Sequence, residues 1–181
     1  MALTFLQKEG QWEAMDHLHA YWRMEYVEAP RLPDSPSPFQ DLIASGDDKK
    51  ALIVYRGEHS CLMLNRFPYN AGHLLILPFR EIGDLPDLQP LERAEFMQQM
   101  INGETLLRAA IKPDGFNIGI NIGKAAGAGL PSHLHAHIVP RWKSDSNFMP
   151  VIGGTSVVPI SLETLWERLT KVARETLPIH E

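Results

Sequence analysis

The 181-residue sequence predicts an α+β domain: an antiparallel sheet of about five strands, one long internal helix and a C-terminal helix. Two observations predict this fold. Short apolar runs separated by turn residues read as hairpin-like strands, and a single long helical stretch interrupts them near the middle of the chain. Alternating parallel units would need a helix after nearly every strand, so a Rossmann-type fold is disfavoured.

The first fifty residues predict an N-terminal extension, 1–50, ahead of the sheet. Aromatic and charged residues are mixed there, and a proline-rich stretch at 29–38 excludes a continuous helix. We expect the extension to be ordered or partly ordered. The main domain is then expected at 51–148, followed by a tail with a helix at 149–181.

Apolar runs mark the first three strands. Residues 52–55 and 61–64 flank a Gly-Glu turn and predict a β-hairpin, and residues 74–77 follow the turn at 68–72. A fourth run, 116–122, alternates apolar and polar residues as a half-buried strand does.

Two segments show helical periodicity. The long internal helix is expected within 91–111, where these apolar residues recur at helical spacing: Phe96, Met97, Met100, Ile101, Leu106, Leu107 and Ala110. A closing helix is expected to begin after Ser161 as its N-cap and to carry Leu162, Leu165, Trp166, Leu169 and Val172.

Composition limits the function classes. The balance of 17 basic and 22 acidic residues gives a formal charge of −5, which argues against broad nucleic-acid binding. No run approaches the roughly 20 apolar residues of a membrane span, and no signal peptide is evident, so we expect a cytoplasmic protein. Cys61 is the single cysteine, in an apolar run, and is expected to be a buried, inert thiol.

Three histidines stand at alternate positions in 132–142, namely His133, His135 and His137. In an extended strand they share one face, while the apolar residues between them take the other. Solubility alone does not explain such a row, because histidine has no special strand propensity. Imidazole serves near neutral pH as nucleophile, acid, base or metal ligand, so the row predicts a catalytic or ligating site.

The glycine-rich segment 119–129 precedes this strand. It is not a Walker motif. Only three residues, instead of four, separate its first glycine from the Gly-Lys pair, Ala125 stands where Ser or Thr is required, and a strand follows instead of a helix. Its glycines can aim backbone N–H groups at an anion, or they can serve only turn geometry.

Residues 65–73, Asn121, the glycine segment and the histidine row together closely resemble the histidine-triad (HIT) family of nucleotide-binding proteins. The family pattern is His-φ-His-φ-His-φ-φ, where φ is apolar, and residues 133–139 fit it. The resemblance runs from about residue 51 to 148.

Flanking residues resemble one branch of that family, the bacterial diadenosine tetraphosphate phosphorylases (ATP adenylyltransferases). They are residues 22–26 in the extension and, after the triad, Pro140, Arg141, Trp142, Asp145, Asn147, Phe148 and Met149.

The resemblance implies that His135 is the nucleophile. It would attack the α-phosphorus of a nucleoside polyphosphate and form a covalent nucleotidyl-imidazole. Its attacking nitrogen must be unprotonated, so the other nitrogen should donate to a fixed acceptor, in this family a nearby backbone carbonyl. His133 and His137 would flank the phosphate and the leaving oxygen.

The same resemblance implies the nucleotide-binding residues. Asn65 corresponds to the residue that binds the ribose hydroxyls, His73 to a histidine near the phosphates, and Asn121 to an amide on the phosphate or its bridging oxygen. An asparagine before a turn more often serves turn hydrogen bonds, so that alternative stays open for both. The remaining nucleotide-binding candidates are Gly127, Gly129, Ser132 and Trp142.

Two departures from the family matter. Many relatives hold structural zinc with Cys-x-x-Cys, a histidine after the third strand and the first triad histidine. Residues 37–40 here read Ser-Pro-Phe-Gln and Glu81 replaces the histidine, so we expect no zinc at that site. Ser132 is the only hydroxyl just ahead of the triad, so backbone amides are expected to bind more of the phosphate.

Three functions remain open from the sequence. The first is a nucleotidyl transferase or phosphorylase that converts diadenosine tetraphosphate and phosphate to ATP and ADP; its close variant is a hydrolase of dinucleoside polyphosphates or nucleoside phosphoramidates. The second is a metal-dependent hydrolase, although the outer histidines would span roughly 13 Å on a strand, too far to share one ion. The third is a non-enzymatic nucleotide-binding protein.

The expected partners are an adenine nucleotide and phosphate, with no nucleic acid and no membrane. The chemistry requires no cofactor, although a divalent cation can accompany the nucleotide. A homodimer through the long helix and a strand edge is expected from the resemblance. The aromatic residues Trp12, Tyr21, Trp22 and Tyr26 could pack on the domain or reach a second subunit.

Overall fold

The protein is described by a computed structural model at residues 37–143, 145 and 160–178. The expectations for the aromatic residues of the extension and for Asn147, Phe148 and Met149 lie outside the described residues. In the part of the extension that is described, from residue 37 onwards, the structure shows two short helices, α1 (Pro38–Ala44) and α2 (Asp48–Ala51). Pro38 stands in the first turn of α1, where its missing N–H costs no helical hydrogen bond.

Across the residues that the structure describes, five antiparallel strands form one sheet, as the sequence predicts. They are β1 (Ile53–Arg56), β2 (Ser60–Leu64), β3 (Leu74–Pro78), β4 (Gly115–Ile120) and β5 (Ala136–Arg141). Their order across the sheet is β1-β2-β3-β5-β4, so the last strand inserts between β3 and β4. Leu52 adopts a left-handed conformation with φ of 62°, so β1 begins one residue later than the apolar run.

Two long helices cover one face of the sheet. They are α3 (Pro90–Ile111) and α4 (Leu162–Thr176), which begin within a residue of the predicted positions. The Ser161 hydroxyl accepts from the backbone N–H of Thr164, so it is the expected N-cap. The core between the helices and the sheet includes Leu62, Ile76, Leu106, Leu107, Ile138, Leu165 and Leu169, none of which is exposed.

The opposite face of the sheet packs against α1 and α2. The buried residues of that face are Ile53, Cys61, Met63, Leu75 and Leu77, and Ala51 of α2 packs with them, as do Phe39, Leu42 and Ile43 of α1. Burial raises the pKa of the Cys61 thiol to about 12, and the prediction of a buried, inert thiol is confirmed. Among the described residues, no helix is both long and apolar enough to cross a bilayer.

The prediction of a strand through all three histidines is wrong at its beginning. Strand β5 starts at Ala136, so His133 and His135 precede it. The backbone N–H of His133 closes a turn onto Leu130 O, and that of Leu134 donates to Ile82 O instead of joining the ladder with β4. Alternation nevertheless persists, because Leu134 lies in the core beneath α3 and α4 with Ala136 and Ile138.

Gly103 of α3 packs tightly against β5. A Cβ built there would lie 2.6 Å from Ile138 Cδ1, and the Ile138 side chain is fully buried. We predict that Gly103→Ala destabilises the fold by about 1–2 kcal/mol, because overpacking exceeds the gain in helix propensity. Urea unfolding followed by circular dichroism measures this. Gly115→Ala, with open space around its Cβ, is the control and should stay within about 0.5 kcal/mol of wild type. Equal stability of the two variants would contradict the account.

Candidate active site

His137 is placed by the sheet itself. It stands on β5 opposite Leu75 of β3 and Gly119 of β4. Residues directly opposite each other on paired strands share a face, and Leu75 belongs to the core beneath α1 and α2. The His137 side chain therefore projects from the face that is not covered by α3 and α4.

His133 is fixed in the turn before β5. It is fully buried, and its Nε2 lies 2.8 Å from the carbonyl oxygen of Pro78 at the end of β3. Since a carbonyl only accepts, Nε2 carries the proton. Burial lowers the pKa of His133, against the smaller opposing effect of this hydrogen bond, so the ring is held neutral.

His135 receives its orientation from the backbone of His133. Its Nδ1 lies 2.9 Å from His133 O and must donate to it, so in the neutral ring Nε2 holds the lone pair. Burial lowers the pKa of His135, partly offset by that hydrogen bond. The result is a neutral imidazole with a nucleophilic Nε2 at neutral pH.

A hydrogen-bond chain sets the tautomers of two further histidines. The backbone N–H of Tyr69 donates to His73 Nδ1 at 3.1 Å, and the Asn65 side-chain amide lies 3.3 Å from the same nitrogen. The neutral His73 ring therefore carries its proton on Nε2, which lies 3.0 Å from His137 Nδ1 and donates to it. His137 is left with its proton on Nε2, as a donor.

Aromatic rings enclose the histidines from two sides. Phe39 of α1 meets His133 and His135 edge-on, with ring centroids 5.6 and 5.5 Å apart. Tyr69 stacks on His137 at 5.8 Å, and His135 meets His137 at 5.0 Å in a T-shaped contact. Such contacts restrict the rotation of the imidazoles.

Three other predicted residues are Asn65, Asn121 and Ser132, of which Asn65 contacts the histidine cluster. Asn65 reaches His73, while its Oδ1 also accepts from the Phe67 N–H and so shapes the turn. Asn121 directly follows Ile120, which is the last residue of β4 and pairs with Ala136 at the start of β5. Ser132 adjoins His133 in the sequence and is exposed. Of the three, Asn65 is the residue that the structure joins to the histidine cluster, through its contact with His73.

The glycine loop and Trp142 fit their expected roles less directly. The N–H of Gly127 donates to Lys124 O, within a turn closed by the short 3₁₀ helix Lys124–Ala126. Gly129 follows in the same loop. Trp142 comes directly after β5, five residues beyond His137, which is roughly 16 Å along a strand. This chain therefore does not bring Trp142 to its own triad.

The segment that carries zinc ligands in many relatives is filled differently here. Gln40 Nε2 donates to Phe79 O at 2.9 Å, and Phe39 packs against His133. Within the described part of the chain, no group of three or more His, Cys, Asp or Glu residues could hold a metal ion. The residues present do not fit the tetrahedral zinc site.

Sequence reasoning missed several residues that build the site. The carbonyl of Pro78 and the rings of Phe39 and Tyr69 come from three separate segments that only the fold brings to the histidines. Tyr69 stands within the 65–73 motif, which could have suggested it. No pattern in the sequence predicts the contacts of Phe39.

Comparison with known proteins bears on this site. The HIT domain family model matches residues 47–144. The AP-4-A phosphorylase of Mycobacterium tuberculosis is 41% identical over 156 residues, which cover 83% of this chain and 80% of that protein. The asymmetrical bis(5'-nucleosyl)-tetraphosphatase of Schizosaccharomyces pombe is 33% identical over 93 residues, 51% of this chain and 50% of that protein.

Solved structures share the fold. A hypothetical histidine triad nucleotide-binding protein from Sulfolobus tokodaii superposes with a TM-score of 0.60 and 26% identity, over 77% of this chain and 90% of that one. A zinc-bound histidine triad family protein from Mycobacterium smegmatis has a TM-score of 0.57 and 26% identity, over 68% of this chain and 84% of that one.

Burial of the His135 ring predicts its titration. Because desolvation penalises the imidazolium, we expect His135 to titrate below its ordinary value of 6.5 and to be neutral at pH 7. NMR titration of the ring signals measures this, with His135→Asn to assign the resonance. A midpoint at or above 6.5 would contradict the desolvated site.

Proposed function

We propose that this chain, which belongs to the HIT family, cleaves diadenosine tetraphosphate with inorganic phosphate to give ATP and ADP. The observation that carries the reaction type is the hydrogen bond from His135 Nδ1 to His133 O, which leaves Nε2 as a nucleophile. The 41% identity to the mycobacterial phosphorylase supports the substrate and the use of phosphate.

In the first half-reaction, His135 Nε2 attacks the α-phosphorus of the dinucleotide. A phosphorus–nitrogen bond forms, the bond to the bridging oxygen breaks, and ATP leaves. His137, whose Nε2 carries a proton, is suited to stabilise the charge that develops on the leaving oxygen. The covalent product is an adenylyl group on His135.

In the second half-reaction, an oxygen of inorganic phosphate attacks the adenylyl phosphorus. The phosphorus–nitrogen bond breaks, ADP leaves, and His135 returns to its neutral form. Splitting one transfer into two steps lets a single imidazole serve as nucleophile and then as leaving group.

The other expected residues would hold the nucleotide. Support for this comes from the contact of Asn65 with His73 and from the hydrogen bond of His73 to His137. Asn121 and Ser132 are proposed from the sequence pattern. Gly127 and Gly129 would use backbone N–H groups, which for Gly127 requires its turn hydrogen bond to open. Trp142 would contribute only from a second subunit. A divalent cation would enter with the nucleotide, and the location that we propose is the cytoplasm.

Hydrolysis is the second candidate function. It is favoured by the 33% identity to the fission-yeast tetraphosphatase over half of this chain. The covalent intermediate is the same, but water would replace phosphate as the acceptor and AMP would replace ADP.

Product analysis tests the proposal. We expect the purified protein to convert diadenosine tetraphosphate to ATP and ADP only when phosphate is present, and His135→Asn to lose this activity by at least about 10³-fold. Ion-exchange chromatography separates the products. The matched control is His59→Asn on the β1–β2 hairpin, where the backbone N–H rather than the ring bonds Glu95, and it should retain wild-type activity.

Two other outcomes of this assay would contradict the phosphorylase. AMP and ATP formed without phosphate would establish the hydrolase. If wild type and His135→Asn turned over equally slowly, cleavage of this dinucleotide would be refuted.

A homodimer is the assembly that we propose. Strand β4 is at the edge of the described sheet, and its Ile118 lies opposite Ile138, on the face that carries α3. Ile118 is 44% exposed, and Met97 and Ile101 of α3 are 57% and 53% exposed. A second copy would cover this apolar surface symmetrically.

Charge on this surface tests the assembly. We predict that Ile101→Glu shifts the protein from dimer to monomer in sedimentation velocity, because a carboxylate would be buried between two copies. Leu85→Glu, at an exposed apolar residue outside α3, serves as control and should remain dimeric. A wild-type protein that sediments as a monomer at micromolar concentration would contradict the dimer.

A further inference from the structure

We infer that Tyr69 is a positioning residue for nucleotidyl transfer, because its ring and its backbone both act on the histidine pair His73–His137. The Tyr69 ring lies 4.6 Å from the His73 ring and 5.8 Å from the His137 ring, in the second case at an interplanar angle of only 22°. The inference rests on the proposed function and adds a residue outside the triad to it.

Stacking by Tyr69 confines one side of the His137 ring. His135 meets the His137 ring from another direction, with centroids 5.0 Å apart and planes at 70°. The hydrogen bond from His73 Nε2 to His137 Nδ1 constrains the ring further. With the ring of Tyr69 removed, His137 gains room to rotate, and rotation breaks that hydrogen bond and turns Nε2 away from the leaving oxygen.

The loop around Tyr69 is tied down at both ends. The Asn65 N–H donates to His73 O at 2.8 Å, and the His73 N–H donates to Asn70 O at 3.2 Å. Because the Tyr69 N–H also donates to His73 Nδ1, the position of the ring and the tautomer of His73 are set by the same short loop.

Hydrogen bonds and an ion pair connect this loop to the segment after the triad. The Asn70 amide donates to Pro140 O at 3.1 Å and to Asp145 Oδ2 at 2.8 Å. Arg141 binds both carboxylate oxygens of Asp145 at 2.7 Å and holds the pKa of that carboxyl near 2. The 65–73 loop therefore contacts the segment 140–145 that follows the triad. This contact helps to hold Tyr69 beside His137.

Single-turnover kinetics test the inference. A ring that orients His137 changes the transfer step and not the affinity, so Tyr69→Leu should lower the saturating rate of nucleotidyl transfer about tenfold. The substrate concentration that gives half the maximal rate should change by less than about twofold. Tyr69→Phe keeps the ring and should keep the rate within about twofold. Phe67→Leu, the same change at an exposed residue of the same loop, is the matched control.

A second readout needs no substrate. Long-range ¹H–¹⁵N NMR of the imidazoles should show Nε2–H tautomers for His73 and His137 in wild type and in Tyr69→Phe. In Tyr69→Leu, the His137 signals should shift towards a mixture of tautomers, while the overall fold, followed by the backbone amide spectrum, stays unchanged. This readout separates failure of the inference from failure of the proposed function.

Three results would overturn the inference. One is a Tyr69→Leu protein with wild-type tautomers, whatever its turnover. Another is a weaker apparent affinity at an unchanged transfer rate, which would make Tyr69 a substrate-binding residue. The third is an equal loss of rate in Tyr69→Phe, which would assign the effect to the hydroxyl and not to stacking.

Discussion

The hydrogen bond from His135 Nδ1 to the carbonyl oxygen of His133 is the interaction on which the site depends. A free imidazole exchanges its proton between two nitrogens, and only the unprotonated one can attack phosphorus. Fixing the proton on Nδ1 leaves Nε2 available. Burial keeps the ring neutral at the same time, because it lowers the pKa of His135.

Contacts with the segment around the end of β3 fix the residues next to that hydrogen bond. His133 is held by its own donation to Pro78 O at the end of β3, and the Leu134 N–H is held by Ile82 O. The departure of the chain from the β4–β5 ladder before Ala136 is therefore part of the site. In a regular strand, the His133 C=O and the Leu134 N–H would pair with a neighbouring strand. Here the His133 C=O accepts from the His135 side chain, and the Leu134 N–H bonds Ile82 O after β3.

Much of this could be predicted from the sequence, since periodic patterns report burial. The five strands, the long helix and the Ser161 cap follow from apolar periodicity and cap chemistry. The triad follows from its spacing and its resemblance to the family. The start of β5 could not be predicted, because His133 and Leu134 bond partners far away in sequence. The contacts of the Phe39 ring could not be predicted for the same reason, whereas Tyr69 lies within the 65–73 motif.

The absence of a zinc ligand set in the described residues coincides with a different packing at the same place. Phe39, held on α1, contacts both His133 and His135, and Gln40 bonds the main chain after β3. Side-chain packing here joins α1 to two of the triad histidines, and a hydrogen bond joins α1 to the segment after β3. Such contacts are weaker than a metal site but need no bound ion.

The most direct test of the central claim is to trap the covalent intermediate. The protein is mixed with diadenosine tetraphosphate without phosphate, quenched in alkali, in which phosphorus–nitrogen bonds survive, and digested for peptide mass spectrometry. The account predicts an adenylyl group on His135, discharged as ADP when phosphate is added before the quench. An adenylyl group on another residue, or cleavage of the dinucleotide with no labelled histidine, would contradict it.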